Sequence, residues 1–183
     1  MNFWLVFIAY EAAWCAAVIG AGAGHAWPGV VAIAFFAAWR LLASRQRAVE
    51  TRLVFVALLL GLVFDAVLAA AGFVDYAAAW PWPLAPAWLT ALWVAFALTI
   101  VPLFGYLHGR PWMAALFGAI GGPLAYLGAA RGWQAVTLVA PSWHALAALA
   151  VGWAVAMPVL CTLARRGLQA RSVAPAFVQG SVP

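Results

Sequence analysis

Six long apolar runs, parted by short polar or proline-rich breaks, set the pattern of this chain. They cover Phe3–Ala21, Pro28–Ala43, Leu53–Phe73, Pro86–Leu107, Trp112–Ala130 and Ser142–Leu163. Each approaches the ~20 apolar residues that carry a helix across bilayer hydrocarbon. The breaks are AGAGHA after the first run, SRQRAVETR at residues 44–52, a Trp- and Pro-rich loop at 74–85, the turn His108-Gly109-Arg110-Pro111, and a loop at 132–141. The pattern predicts an all-α polytopic membrane protein with six transmembrane helices in a single bundle. That domain covers residues 1–166, and a disordered cytoplasmic tail is expected over 167–183, where Pro, Gly and Ser collect. AGAGHA resembles a signal-peptidase site, but the first run lacks a basic start and carries Glu11, so it reads as a span.

Charge sets the orientation. Nine arginines and no lysine lie against four acids. With both termini in the cytoplasm, Arg40, Arg45, Arg47, Arg52, Arg110, Arg165, Arg166 and Arg171 all fall inside and Arg131 alone falls outside. Eight against one is the positive-inside bias expected of a multi-pass membrane protein. Arg40, at the end of the second run, is expected to snorkel to the interface. The same scatter at span ends argues against nucleic acid as a partner. Composition agrees: 69% of residues are hydrophobic, 7% are charged and mean hydropathy is +1.05, whereas a soluble domain carries about 25% charged residues. Of the twelve tryptophans, Trp4, Trp27, Trp80, Trp82, Trp88, Trp112, Trp133 and Trp143 fall near span ends, as interfacial belts require.

The fifth run, within GRPWMAALFGAIGGPLAYLGAAR at 109–131, is the segment around which the bundle is expected to form. Gly118 and Gly122 have the GxxxG spacing that lets helices approach closely. Pro123 lacks an N–H and is expected to bend the helix near Gly121–Pro123. Pro102 is a second expected kink, in the fourth run.

Polar residues inside the runs carry any chemistry. Asp65 lies 12 residues into the third run, about 18 Å along a helix. A carboxylate at that depth costs several kcal/mol unless it is protonated, paired or hydrated, so it marks either a functional site or a polar lock between helices. Glu11 has a similar depth and ranks slightly lower. The candidate pocket or lock is Asp65, Glu11, Tyr126, Gly121, Gly122 and Pro123. Tyr10, Thr90 and Thr99 are possible hydrogen-bond partners, each more simply read as packing. Arg45, Arg47, Arg52 and Arg131 are candidates for lipid headgroup contact. His25, His108 and His144 have no ligand spacing, and Cys15 and Cys161 read as buried apolar residues. No nucleotide loop, HExxH, GxSxG or dense His/Asp cluster is present, so no metal and no cofactor is expected, and no motif assigns an enzymatic reaction.

The blocks LLLGLVFDAVLAAAGF (58–73), LAPAWLTALWVAFALTI (84–100) and GRPWMAALFGAIGGPLAYLGAARG (109–132), with Trp14 and VIGA (18–21), resemble the small bacterial inner-membrane family of domain of unknown function 2878. The resemblance covers roughly residues 2–166, with GRP…GGPLAY its most specific part. It implies an amide where this chain has Glu11, so the charge there belongs to this chain. The family carries no settled activity. Its members are encoded near lipid-modifying enzymes, which implies such an enzyme as a partner.

Three functions fit these residues. The first is binding or processing of a lipid-like hydrophobic small molecule by an uncharacterised, lipid-associated inner-membrane protein. The second is a proton-coupled small secondary transporter using Asp65. The third is a non-catalytic membrane scaffold for a partner enzyme.

Overall fold

The computed structural model describes residues 2–173, with side chains for 2–170. Its elements are α1 (Phe3–Gly22), α2 (Trp27–Ala43), α3 (Arg47–Ala70), β1 (Val74–Tyr76), α4 (Ala87–Ala97), α5 (Ile100–Leu103), a 3-10 turn at Gly105–Leu107, α6 (Pro111–Trp133), β2 (Val136–Leu138) and α7 (Ser142–Val173). The protein is all-α apart from the short strand pair. By length and composition four helices, α1, α3, α6 and α7, can cross a membrane, and α2 and α4 are shorter apolar helices. Large apolar side chains such as Phe35, Phe55, Trp112 and Val151 are exposed around the outside. Such a surface fits lipid, where lipid tails are as apolar as the side chains they meet.

Local chemistry sets several boundaries. The Asn2 side chain caps α1 by accepting from the Trp4 N–H at 3.2 Å, satisfying one of the orphan donors at a helix start. Gly24, at φ +82°, makes the turn into α2. Pro28 sits in the first turn of α2 and Pro111 in that of α6, where a missing N–H costs nothing.

The fourth apolar run departs from the continuous span expected. Helix α4 ends at Ala97, and the chain restarts as α5 at Ile100. Pro102 is the reason: it cannot donate to the Leu98 carbonyl four residues earlier, and its ring crowds that carbonyl. Helix α6, in contrast, passes through Pro123 as one uninterrupted helix.

The loops after α3 and α6 also differ from expectation. They pair as an antiparallel two-stranded sheet in the register Val74↔Leu138, Asp75↔Thr137, Tyr76↔Val136. Alternation explains it: Val74 and Tyr76 are buried and Asp75 is exposed, which is the period of a strand. Helix α7 continues to Val173, past the expected boundary at 166. Gly167 meets the Val49 side chain and Leu168 packs on the core cluster around Leu53 and Leu160, so this stretch has a surface to fold against. Residues 174–183 of the expected tail lie outside the described residues.

Close approach of α6 and α7 follows from Gly118 and Gly122. A Cβ at Gly118 would collide with the Trp153 backbone carbonyl, and one at Gly122 with the Trp153 ring. Small residues permit such contact where the hydrophobic effect supplies no force between helices.

Arg40 does not snorkel. Its guanidinium is 2% exposed and ion-pairs with Glu50, 1% exposed, across the α2–α3 turn. The helix therefore begins at Arg47, inside the stretch expected to be a polar connection. Truncating one partner of a buried pair strands the other charge, at about 3–5 kcal/mol. Glu50→Ala is expected to lower unfolding stability in detergent by about that amount, while Arg40→Met combined with Glu50→Leu recovers most of it. Denaturant unfolding followed by circular dichroism checks both.

Candidate functional site

Three elements converge on Asp65. Helix α3 presents it on the same face as Gly61, one turn earlier. A Cβ at Gly61 would collide with the Trp93 ring, so the glycine lets that ring lie flat on α3. The Trp93 indole N–H then donates to Asp65 Oδ2 at 2.8 Å. The Tyr126 hydroxyl donates to Oδ1 at 2.5 Å, and the Tyr76 hydroxyl reaches the same oxygen at 3.3 Å. Tyr76 arrives because β1 pairs with β2, and Tyr126 lies one turn beyond Gly122 on α6. Asp65 is 1% exposed. Its carboxyl joins α3, β1, α4 and α6 and has donors on both oxygens, which is how a buried acid is accommodated.

Beside this cluster, without Asp65 itself, lies a cavity of about 260 Å³ between α1, α4, α6 and α7. Tyr10, Glu11, Trp14 and Val18 line it from α1, Trp88, Trp93 and Phe96 from α4, Gly118, Gly121, Gly122 and Tyr126 from α6, and Trp153 and Met157 from α7. Trp93 and Trp153 stack at 4.6 Å, and Phe96 meets Trp153 edge-on at 5.0 Å. Gly121 leaves space in the wall, since a Cβ there would meet only the Phe117 ring, at 3.8 Å. Of the lining residues only Glu11 and Phe117 are exposed. They mark a mouth between α1 and α6 that opens to the outside of the bundle. The Trp153 indole N–H is buried without an acceptor among the described residues.

The structure thus brings Glu11, Gly121, Gly122 and Tyr126 to one cavity, sets Asp65 behind its wall, and leaves Pro123 off it. Arg45, Arg47 and Arg52 are exposed around the α2–α3 turn, where Arg47 also donates to the Leu42 carbonyl at 2.5 Å. Arg131 stands apart, in a shallow concavity with Gln134, Thr137 and Ser142. Thr90 and Thr99 bond the Pro86 and Phe96 carbonyls of their own segments. His108 contacts the Ile100 carbonyl at 3.0 Å, and His25 and His144 are exposed. Among the described residues no group of three His, Cys, Asp or Glu comes together to hold a metal.

Sequence reasoning missed Trp93, Trp153 and Tyr76. The available signal was depth: Trp14, Trp93 and Trp153 sit inside their helices rather than at the ends. Trp88, at the start of α4, is 1% exposed and donates its N–H to the Ala77 carbonyl at 2.9 Å.

The family model described as Protein of unknown function (DUF2878) matches residues 3–159. The chain belongs to this family. The DUF2878 match takes in every residue of the Asp65 cluster and of the cavity wall. No curated protein and no solved structure matches the chain.

Removing the Tyr126 hydroxyl leaves an oxygen of a buried acid without its shortest donor, a loss of about 1–3 kcal/mol. Tyr126→Phe is expected to lower stability by that amount, and Asp65→Leu by more, since three donors then lose their acceptor. Thermal unfolding in detergent reads both, and an unchanged Asp65→Leu protein would remove the cluster's structural role.

Proposed function

We propose that this DUF2878 member is a six-span protein of the bacterial inner membrane, termini in the cytoplasm, that binds a lipid-like hydrophobic small molecule in the cavity between α1, α4, α6 and α7. The carrying observation is the cavity's form: an aromatic and glycine wall whose exposed lining residues, Glu11 on α1 and Phe117 on α6, both lie within their helices rather than at the ends. Ligand sites are concave, mostly apolar and supplied with few polar groups. A solute dissolved in the bilayer reaches such a mouth without crossing water.

The six-span reading is supported by contacts that gather alternate helix ends. The end of α1 packs on the end of α6 at Gly22 and Trp133, and β1 pairs with β2. At the other end Arg40 meets Glu50, and Gly167 meets Val49. The shorter segments α2 and α4–α5 complete the alternation, and the arginine bias sets its sense. Within this reading Arg45, Arg47, Arg52 and Arg131 contact headgroups, and Asp65 acts as a positioning residue that holds Tyr126 and Trp93 in the cavity wall. Its saturated carboxyl favours that role over proton coupling.

Gly121→Leu tests the site without disturbing the fold. The new side chain enters the cavity, and replacing a mid-helix glycine favours the helix by up to about 1 kcal/mol. Protein extracted into native-lipid discs is analysed by mass spectrometry for retained small molecules and lipids. A species enriched on the wild type and reduced at least tenfold on a stably folded Gly121→Leu protein is expected. Identical retained species on both would overturn the reading.

A further inference from the structure

The four acids of this chain have different fates. Glu50 is ion-paired with Arg40, Asp65 is bonded by Tyr126, Trp93 and Tyr76, and Asp75 is exposed on the strand β1. Glu11 alone stands inside a helix with no hydrogen bond or ion pair to any described residue. It lies eight residues past the start of α1, about 12 Å along the axis, and lines the cavity at its mouth. No arginine or histidine lines that cavity. A carboxylate at this depth requires a counter-charge or a proton, and no described residue supplies a counter-charge.

The rest of the wall has a chemistry of its own. Behind Glu11 stand the rings of Trp14, Trp93, Phe96 and Trp153, with Tyr10 and Tyr126 flanking them. Trp93 and Trp153 stack on each other and lie over Gly61 and Gly122, so these rings enclose the cavity as a stiff apolar wall. A purely apolar ligand would gain from the rings but would leave the carboxylate unmatched. An anionic ligand would be repelled by it.

We propose that the cavity binds an organic cation, an alkyl- or arylammonium group on an apolar body, with Glu11 as its counter-ion and the aromatic wall around its apolar body. This rests on the reading of the cavity as a ligand site and names the ligand class. Carboxylate and ammonium meet as a neutral pair, which lowers the cost of either charge inside the bundle. The depth of Glu11 selects a free amphiphilic cation over the headgroup of a bilayer lipid, which stays at the interface.

The test uses benzyltrimethylammonium and its uncharged isostere neopentylbenzene, in which carbon replaces the nitrogen. Binding to the full chain in uncharged maltoside micelles is measured by equilibrium dialysis, with wild type, Glu11→Gln and Gly121→Leu. Glu11 bonds no described residue, so Glu11→Gln is expected to keep the fold. The wild type is expected to bind the cation at least tenfold more tightly than the isostere. Glu11→Gln is expected to lose that preference while still binding the isostere, and Gly121→Leu to bind neither. Short-chain phosphatidylcholine added to the micelles is expected not to displace the cation; displacement would instead make a lipid ammonium headgroup its source. Equal binding of both probes by wild type and Glu11→Gln, abolished by Gly121→Leu, would overturn the cation assignment and leave the cavity reading standing. Binding unaffected by Gly121→Leu, or no binding of either probe to the wild type, would overturn both.

Discussion

The donors that converge on the Asp65 carboxyl set the register of this bundle. Among lipid tails, burying one more leucine between helices gains little, so close packing and polar contacts decide how helices sit. A single carboxyl that takes bonds from α4, α6 and β1 ties three elements to α3 at once. A slip of any of them by one residue would leave a donor or an acceptor bare where no water can reach it, so the arrangement tolerates little movement. The β1–β2 pair reinforces it by delivering Tyr76 to the acid from outside the helices.

Aromatic rings seated in glycine gaps extend this order outward. Trp93 lies over Gly61, Trp153 over Gly122, and Phe64 over Gly152. Phe64, Trp93, Trp153 and Phe96 then touch in sequence, edge to face or stacked. Stiff rings with few rotatable bonds build a wall that keeps its shape, and offset or edge contacts add about 0.5–1.5 kcal/mol each beyond burial. The cavity survives beside a dense core because its walls are held from behind: Tyr126 and Trp93 each have one side on Asp65 and the other on the cavity. Glu11 lines the same cavity with no such anchor among the described residues, unlike the acid that organises the bundle.

Much of the all-α design was legible in the sequence, because apolar length is a property of single segments. Gly118 and Gly122 announced the α6–α7 contact through their spacing. The break before α5 was legible in principle, since Pro102 denies Leu98 its partner, yet apolar composition alone carries the eye across it. The partners of Asp65 were not legible. Tyr76, Trp93 and Tyr126 lie 11, 28 and 61 residues away, and no local period signals contacts between helices. For the same reason depth along a helix could rank Asp65 above Glu11, but only the rotation of each helix shows which acid is enclosed and which meets the cavity. Arg40 and Glu50 were hidden differently: an arginine at a span end normally reaches for water, and only the fold of the α2–α3 turn turns it inward.

The account depends on a cavity that opens between α1 and α6 and holds a molecule distinct from bulk lipid. Site-specific photocrosslinking tests this most directly. A benzophenone side chain replaces Phe117, at the mouth, or Phe35, exposed on α2 away from the cavity. After irradiation in native-lipid discs, the adducts are identified by mass spectrometry. The account predicts bulk lipids at 35 and a distinct small molecule, enriched over its membrane abundance, at 117. The same distribution of bulk lipids at both positions would contradict it.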